Sequence, residues 1–182
     1  GMIGDAVENL FGENAEVKVL MGPGVDPHLY KATQGDIEAL TKADLIIYNG
    51  LHLEGKMTEI LEKLSRNRNV YAVGDMLAAD KLINSTDYVD AHDPHIWFDV
   101  ALWLEALEKL ALQLEEEYPA MATDISANME QYRKNLQELH REVAEGINSI
   151  PPGQRVLITA HDAFKYFGRA YGMEVKGLQG IS

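Results

Sequence analysis

The tripeptide Asp-Pro-His occurs twice, each time followed by an aliphatic residue and an aromatic: Asp26-Pro27-His28-Leu29-Tyr30 and Asp93-Pro94-His95-Ile96-Trp97. Proline fixes its own φ and holds the preceding residue extended, so each histidine is presented from a stiffened loop. Stiffly held imidazole is what a metal site needs. A third candidate, His161, stands beside an acid, Asp162. Ligating imidazoles usually donate their second N–H to a carboxylate or carbonyl. Asp26, Asp93 and Asp162 could supply it, although an aspartate before proline taken alone reads first as a turn former. Tyr30 and Trp97 could wall such a site from water, with plain core packing as the commoner use of such rings. His52, in Asn49-Gly50-Leu51-His52-Leu53-Glu54, is expected to stand behind the ligands at most, and His92 and His140 are expected to be solvated.

The chain has no cysteine. Disulfides, iron–sulfur clusters and thiolate zinc sites are therefore excluded, and a metal must be held by His, Asp or Glu. The net charge of −13 disfavours nucleic acid and anionic membranes as partners and weakly favours cations nearby. There is no His-Glu-x-x-His, no Gly-x-Ser-x-Gly and no phosphate-binding Gly-rich loop. Three histidines around an open position would suit a hydrolytic zinc, so a His-coordinated metal-dependent hydrolase is the competing class. It would need a carboxylate general base that the sequence does not identify. No stretch reaches the ~18 apolar residues of a membrane span. The opening Gly1-Met2-Ile3-Gly4-Asp5 lacks the basic and apolar regions of a signal sequence, and Gly1 reads as a tag remnant.

These histidines need elements to hold them. Residues 3–11 read as a helix, and the alternation in 16–21 reads as a strand. Thr33 with Asp36 forms a capping-box pattern that opens a helix through Ala43. Residues 44–48 and 69–73 read as buried strands around a helix at 56–64, a β-α-β-α-β rhythm that implies a parallel sheet with helices on its faces. Asp99 is the expected N-cap of a helix whose stripe is Val100, Trp103, Leu104, Leu107, Leu110, Ala111 and Leu114. Residues 120–150 repeat apolar positions from Ile125 to Ile150 at spacings of three and four. They predict a helix roughly 45 Å long, a strut between two lobes or, as the lesser alternative, a coiled coil, rather than a cover for one small sheet. After Pro151-Pro152-Gly153, a strand at 155–159, a helix at 163–171 and a strand at 173–176 form one β-α-β unit. His161 is expected just past that first strand, opening the helix. Ligands bind at the carboxyl ends of parallel strands, which suits all three histidines.

Three stretches together resemble the zinc/manganese solute-binding receptors of ABC transporters, the TroA-like family. They are Gly22-Pro23-Gly24-Val25-Asp26-Pro27-His28-Leu29-Tyr30, Asp93-Pro94-His95-Ile96-Trp97-Phe98-Asp99, and Thr159-Ala160-His161-Asp162-Ala163-Phe164 with Tyr166-Phe167. The Asn49–Glu54 stretch also fits, and the likeness runs in order along essentially the whole chain. It implies an α/β architecture. Residues 1–118 would form an N-terminal parallel-sheet lobe with flanking helices, 119–150 the long linker helix, and 151–182 the start of a truncated second α/β lobe.

The same resemblance implies metal ligands His28 and His95 from the first lobe and His161 from the second. The transported cargo would be Zn²⁺ or Mn²⁺, and histidine at the third position leans toward zinc. It further implies a membrane ABC permease as partner, an extracytoplasmic location (periplasmic or lipid-anchored), and binding rather than catalysis, with no catalytic residues. The family's fourth ligand, an aspartate, would lie beyond Ser182, and its first strand would precede Met2. The chain is thus expected to be truncated at both ends, to bind metal more weakly than its parent, and to self-associate through its C-terminal segment.

Overall fold

The computed structural model describes residues 1–85 and 89–179. Helix α1 (Met2–Phe11) leads into an extended segment and the first Asp-Pro-His loop. The expected strand at 16–21 does not form: no ladder partner exists for it among the described residues, because the first sheet contains β1 and β2 alone. Its apolar alternation serves packing instead. Val19 lies so close to α1 that a Cβ on Gly4 would meet its Cγ2 at 2.6 Å. Leu20 and Met21 rest on a small core of Leu40, Ile46, Met57 and Leu61.

Helix α2 (Gln34–Lys42) opens with the expected capping box, Thr33 and Asp36 each bonding the other's backbone amide. Strands β1 (Leu45–Tyr48) and β2 (Asn69–Ala72) pair in parallel, Leu45 opposite Asn69 and Tyr48 opposite Ala72, with α3 (Thr58–Ser65) as the crossover. Just past their carboxyl ends, the Gly74 amide donates to the Asn49 carbonyl over 2.8 Å. The chains approach so closely there that a Cβ on Gly74 would meet Leu51 Cγ at 2.5 Å.

Helix α4 (Val100–Glu117) begins where the Asp99 carboxylate accepts the Leu102 amide at 3.1 Å. Its predicted stripe is buried apart from Leu104, which is half-buried. Leu107 and Leu110 are completely enclosed. Truncating either to alanine should cost about 2–5 kcal/mol through lost transfer energy and an unfilled cavity.

The long helix α5 (Ala122–Asn148) spans 27 residues, about 40 Å at the usual rise. Its first half buries Ile125, Met129, Tyr132 and Leu136 against α1 and α4. The Tyr132 hydroxyl donates to Asp5 Oδ2 at 2.6 Å and Asn128 Nδ2 to the Leu10 carbonyl at 3.0 Å. Beyond Leu136 the stripe loses its cover, and Leu139 is exposed although its spacing predicts burial. His140, expected in solvent, is half-buried instead, its Nδ1 lying 3.1 Å from the Tyr171 hydroxyl.

Strands β3 (Val156–His161) and β4 (Glu174–Gln179) pair in parallel around α6 (Lys165–Tyr171). Gly172, at φ 71°, closes α6 in the left-handed conformation that glycine adopts without strain. One face of this pair leaves Val156, Ile158 and Leu178 exposed. No helix among the described residues is long and apolar enough to cross a membrane.

Candidate metal centre

In the first loop, the His28 amide donates to Asp26 Oδ1 at 2.9 Å. This is an Asx turn, the aspartate's ordinary use before proline. Downstream, the Tyr30 hydroxyl donates to Asp36 Oδ2 at 2.7 Å, tying the loop to the cap of α2. Tyr30 therefore anchors the loop rather than walling the site.

The second loop repeats the turn, with the His95 amide 2.9 Å from Asp93 Oδ1, and adds to it. The same oxygen lies 2.8 Å from His95 Nδ1, and both residues are buried. With the carboxylate as acceptor, the Nδ1 tautomer donates to it and Nε2 keeps the lone pair a metal would need. Trp97 stacks edge-on to the same imidazole at 5.3 Å.

His161 is the last residue of β3, two residues beyond the expected end of that strand, and α6 begins only at Lys165. The ladder thus fixes its backbone, since it pairs with Gln179. Asp162 does not reach an imidazole. It pairs with Lys165 at 2.8 Å, and Lys165 stands 3.9 Å from Asp93 Oδ2. A Cβ on Gly177 would meet Asp162 Cβ at 2.6 Å and Cα at 2.9 Å, so β4 runs directly under this corner.

The three imidazoles converge. His28 Nε2 lies 3.3 Å and His161 Nε2 3.2 Å from His95 Nε2, and the ligand atoms the three residues offer all fall within 4.8 Å of one another. Tetrahedral Zn–N bonds of ~2.0–2.1 Å put ligand nitrogens ~3.3–3.4 Å apart. Burial, then the neighbouring His95, holds His28 below its usual pKa, with Asp26 opposing. The neutral, metal-binding form of its ring is therefore favoured.

His52 does not join them. It is exposed at φ 64° and lines a separate recess of about 230 Å³ with Tyr48, Asp75 and His92. His92, expected in solvent, is half-buried there, and Asn84 pairs with it in an isolated bridge.

Two buried residues that the spacing arguments left without a role hold the second loop. Asn49 Nδ2 donates to the Pro94 carbonyl at 3.0 Å. Glu54 holds Asn49 in turn, accepting the Asn49 and Gly50 amides at 2.8 and 3.1 Å. Burial lifts the Glu54 carboxyl above the usual range against the pull of those two amides. On the other side, the Tyr166 hydroxyl donates to the Asp93 carbonyl at 2.9 Å and accepts the Ile83 amide at 3.0 Å. Both residues stood inside stretches that carry the resemblance, which was the only signal for them.

A family model described as "Zinc-uptake complex component A periplasmic" matches residues 1–182. The chain belongs to this zinc-uptake family. It is 46% identical over 180 residues to the manganese-binding lipoprotein MntA of Bacillus subtilis, and 47% identical over 182 residues to the zinc-binding protein TroA of Treponema pallidum. The matches cover 99% and 100% of this chain and 58% of each relative. The chain thus spans a little over half the length of these relatives. The structure of periplasmic zinc-binding TroA from Treponema pallidum superposes with a TM-score of 0.93 at 46% identity, covering 98% of this chain and 64% of that one. The α/β architecture expected from the sequence agrees with that fold.

Proposed function

We propose that this chain captures a divalent transition metal, zinc or manganese, between His28, His95 and His161. As part of a longer extracytoplasmic receptor it would deliver that metal to a membrane ABC permease. The observation that carries the reading is the 3.2–3.3 Å spacing of the His28 and His161 nitrogens from His95 Nε2, close to the separation of neighbouring ligands in tetrahedral coordination. An all-imidazole set suits zinc, whereas manganese prefers more oxygen ligands. The names of the relatives, one manganese-binding and one zinc-binding, support the choice between these two metals. In this reading residues 1–118 form the first lobe, 119–150 the linker, and 151–182 the beginning of the second lobe, so the ion sits where the units meet. The metal is cargo, and the role is capture and release.

Titration of the protein with Zn²⁺ and with Mn²⁺, alongside H95A, tests this. One ion per chain is expected for the parent, with loss of that binding in the variant. Undiminished zinc affinity in H95A, or metal-dependent turnover of an ester or phosphoester, would overturn it. The exposed Val156, Ile158 and Leu178 also support association between copies through the C-terminal segment. Sedimentation should show dimers or larger species at micromolar concentration, and a clean monomer would refute this.

A further inference from the structure

We propose that Tyr166 is a positioning residue for the metal centre: its hydroxyl sets the separation between His161 and His95. The inference rests on the three-histidine reading above. His161 and Tyr166 belong to one continuous β3–α6 passage, whereas His95 belongs to the loop before α4. Those two pieces must keep their ligand nitrogens 3.2 Å apart.

Tyr166 is fully enclosed, and its hydroxyl joins the pieces at two points. It donates to the carbonyl of Asp93, whose carboxylate orients the His95 ring, and it accepts the amide of Ile83. The Asp93 amide in turn donates to the Ile83 carbonyl at 2.8 Å. The hydroxyl therefore bonds both strands of the backbone pair that carries the second loop. Lys165 and Arg169 flank it but reach their carboxylates over longer distances, 3.9 Å to the buried Asp93 and 3.4 Å to Asp99. At those lengths the ion pairs fix geometry less tightly than the hydroxyl's 2.9 and 3.0 Å hydrogen bonds. Removing it leaves a buried carbonyl and a part-buried amide unpaired, and the loop must move to rehydrate them.

The test is Y166F, with Y171F as the control. Tyr171 is a buried tyrosine on the same helix, but its hydroxyl meets His140 on α5 and the Val100 backbone at the start of α4, not the Asp93 carbonyl or the Ile83 amide. The probe is Co²⁺ alone, followed by its visible absorption bands, with Zn²⁺ affinity measured by chelator competition. Y166F is expected to lose ~10–100-fold in zinc affinity, the range for partners behind a ligand, and to shift the cobalt bands. Y171F should lower thermal stability and leave the bands unchanged.

An unaltered cobalt spectrum in Y166F overturns the proposal, whether or not its affinity falls, because a merely structural loss would not change coordination geometry. If Y166F does not fold, 3-fluorotyrosine at 166 retains the hydroxyl and alters its hydrogen-bond strength. The same band shift is then expected, and its absence is equally decisive. Cobalt binding by the parent, lost in H95A, checks the underlying reading separately. If that binding fails, the metal-site reading falls; if it holds while Y166F matches the parent, only the role of Tyr166 falls.

Discussion

In the first Asp-Pro-His loop the aspartate bonds one group, the amide two residues on; in the second it bonds that amide and the imidazole as well. The two pentapeptides share a pattern and differ in surroundings. His95 is buried, flanked by Trp97, and its loop is held by Asn49 from one side and Tyr166 from the other. His28 is half-buried on a loop whose described anchors are its own turn and the Tyr30–Asp36 bond. A repeated motif therefore yields one rigidly held imidazole and one more yielding imidazole. The rigid one sits between the other two, since both of the short nitrogen contacts run to His95.

The contrast makes graded predictions. The largest effect should come from H95A, which removes the central nitrogen and leaves Asp93 buried without its imidazole. Zinc affinity should fall by more than the ~100-fold that bounds an outer partner, and H28A should fall short of that. Equal losses in chelator competition would erase the distinction between the loops.

Next comes the pair D93N and D26N. An amide at 93 could still accept the His95 backbone N–H but would accept more weakly from Nδ1, so a ~10–100-fold loss is expected. Asparagine at 26 forms the same turn, so D26N should bind nearly as the parent does. A large loss in D26N would show that the first aspartate does more than shape a turn.

A smaller effect concerns the clamp on the second loop. Burial, opposed by the Ile83 amide, raises the Tyr166 hydroxyl to about 12. A folded pKa above the unfolded value of ~10 means the folded state keeps a proton that the unfolded state gives up. The resulting stability is fully present below pH ~10 and is lost as pH rises through about 12. Denaturant titrations from pH 9 upward should fall less steeply for Y166F, and identical slopes would remove the clamp from the comparison.

The smallest effect is T33A, which breaks the capping box of α2 beside the first loop. It should cost about 0.5–2 kcal/mol in denaturant unfolding and leave zinc affinity unchanged. A drop in affinity would mean that this loop depends on α2 more than its own turn suggests.

Patterns confined to one segment were legible in the sequence. The stripe of α4, the Asp99 cap and the Thr33–Asp36 box follow from local spacing and stereochemistry. The turn at each Asp-Pro-His was legible for the same reason. What depended on a distant partner was not. Residues 16–21 alternate as a strand should, yet a strand exists only where another chain completes its ladder. Leu139 keeps the helical rhythm but lies past the elements that would cover it, while His140, one position off that rhythm, meets Tyr171 from α6. Strand β3 runs two residues past the expected Thr159, because pairing with β4 carries it through His161. The convergence of three histidines so far apart in sequence has no local cause; their places at strand ends allow it, and the family resemblance singles it out. Asn49 and Tyr166 act through single hydrogen bonds to backbone carbonyls, which no residue pattern encodes.

The close passage of β4 beneath Asp162 has a consequence for how the site could drift among variants. At position 177 even alanine would drive a methyl group into the Asp162 backbone. The strain would be relieved by lifting the corner that carries His161. A single codon change at a residue outside the histidine cluster could therefore pull one imidazole away from the other two, with all three histidines still in the sequence.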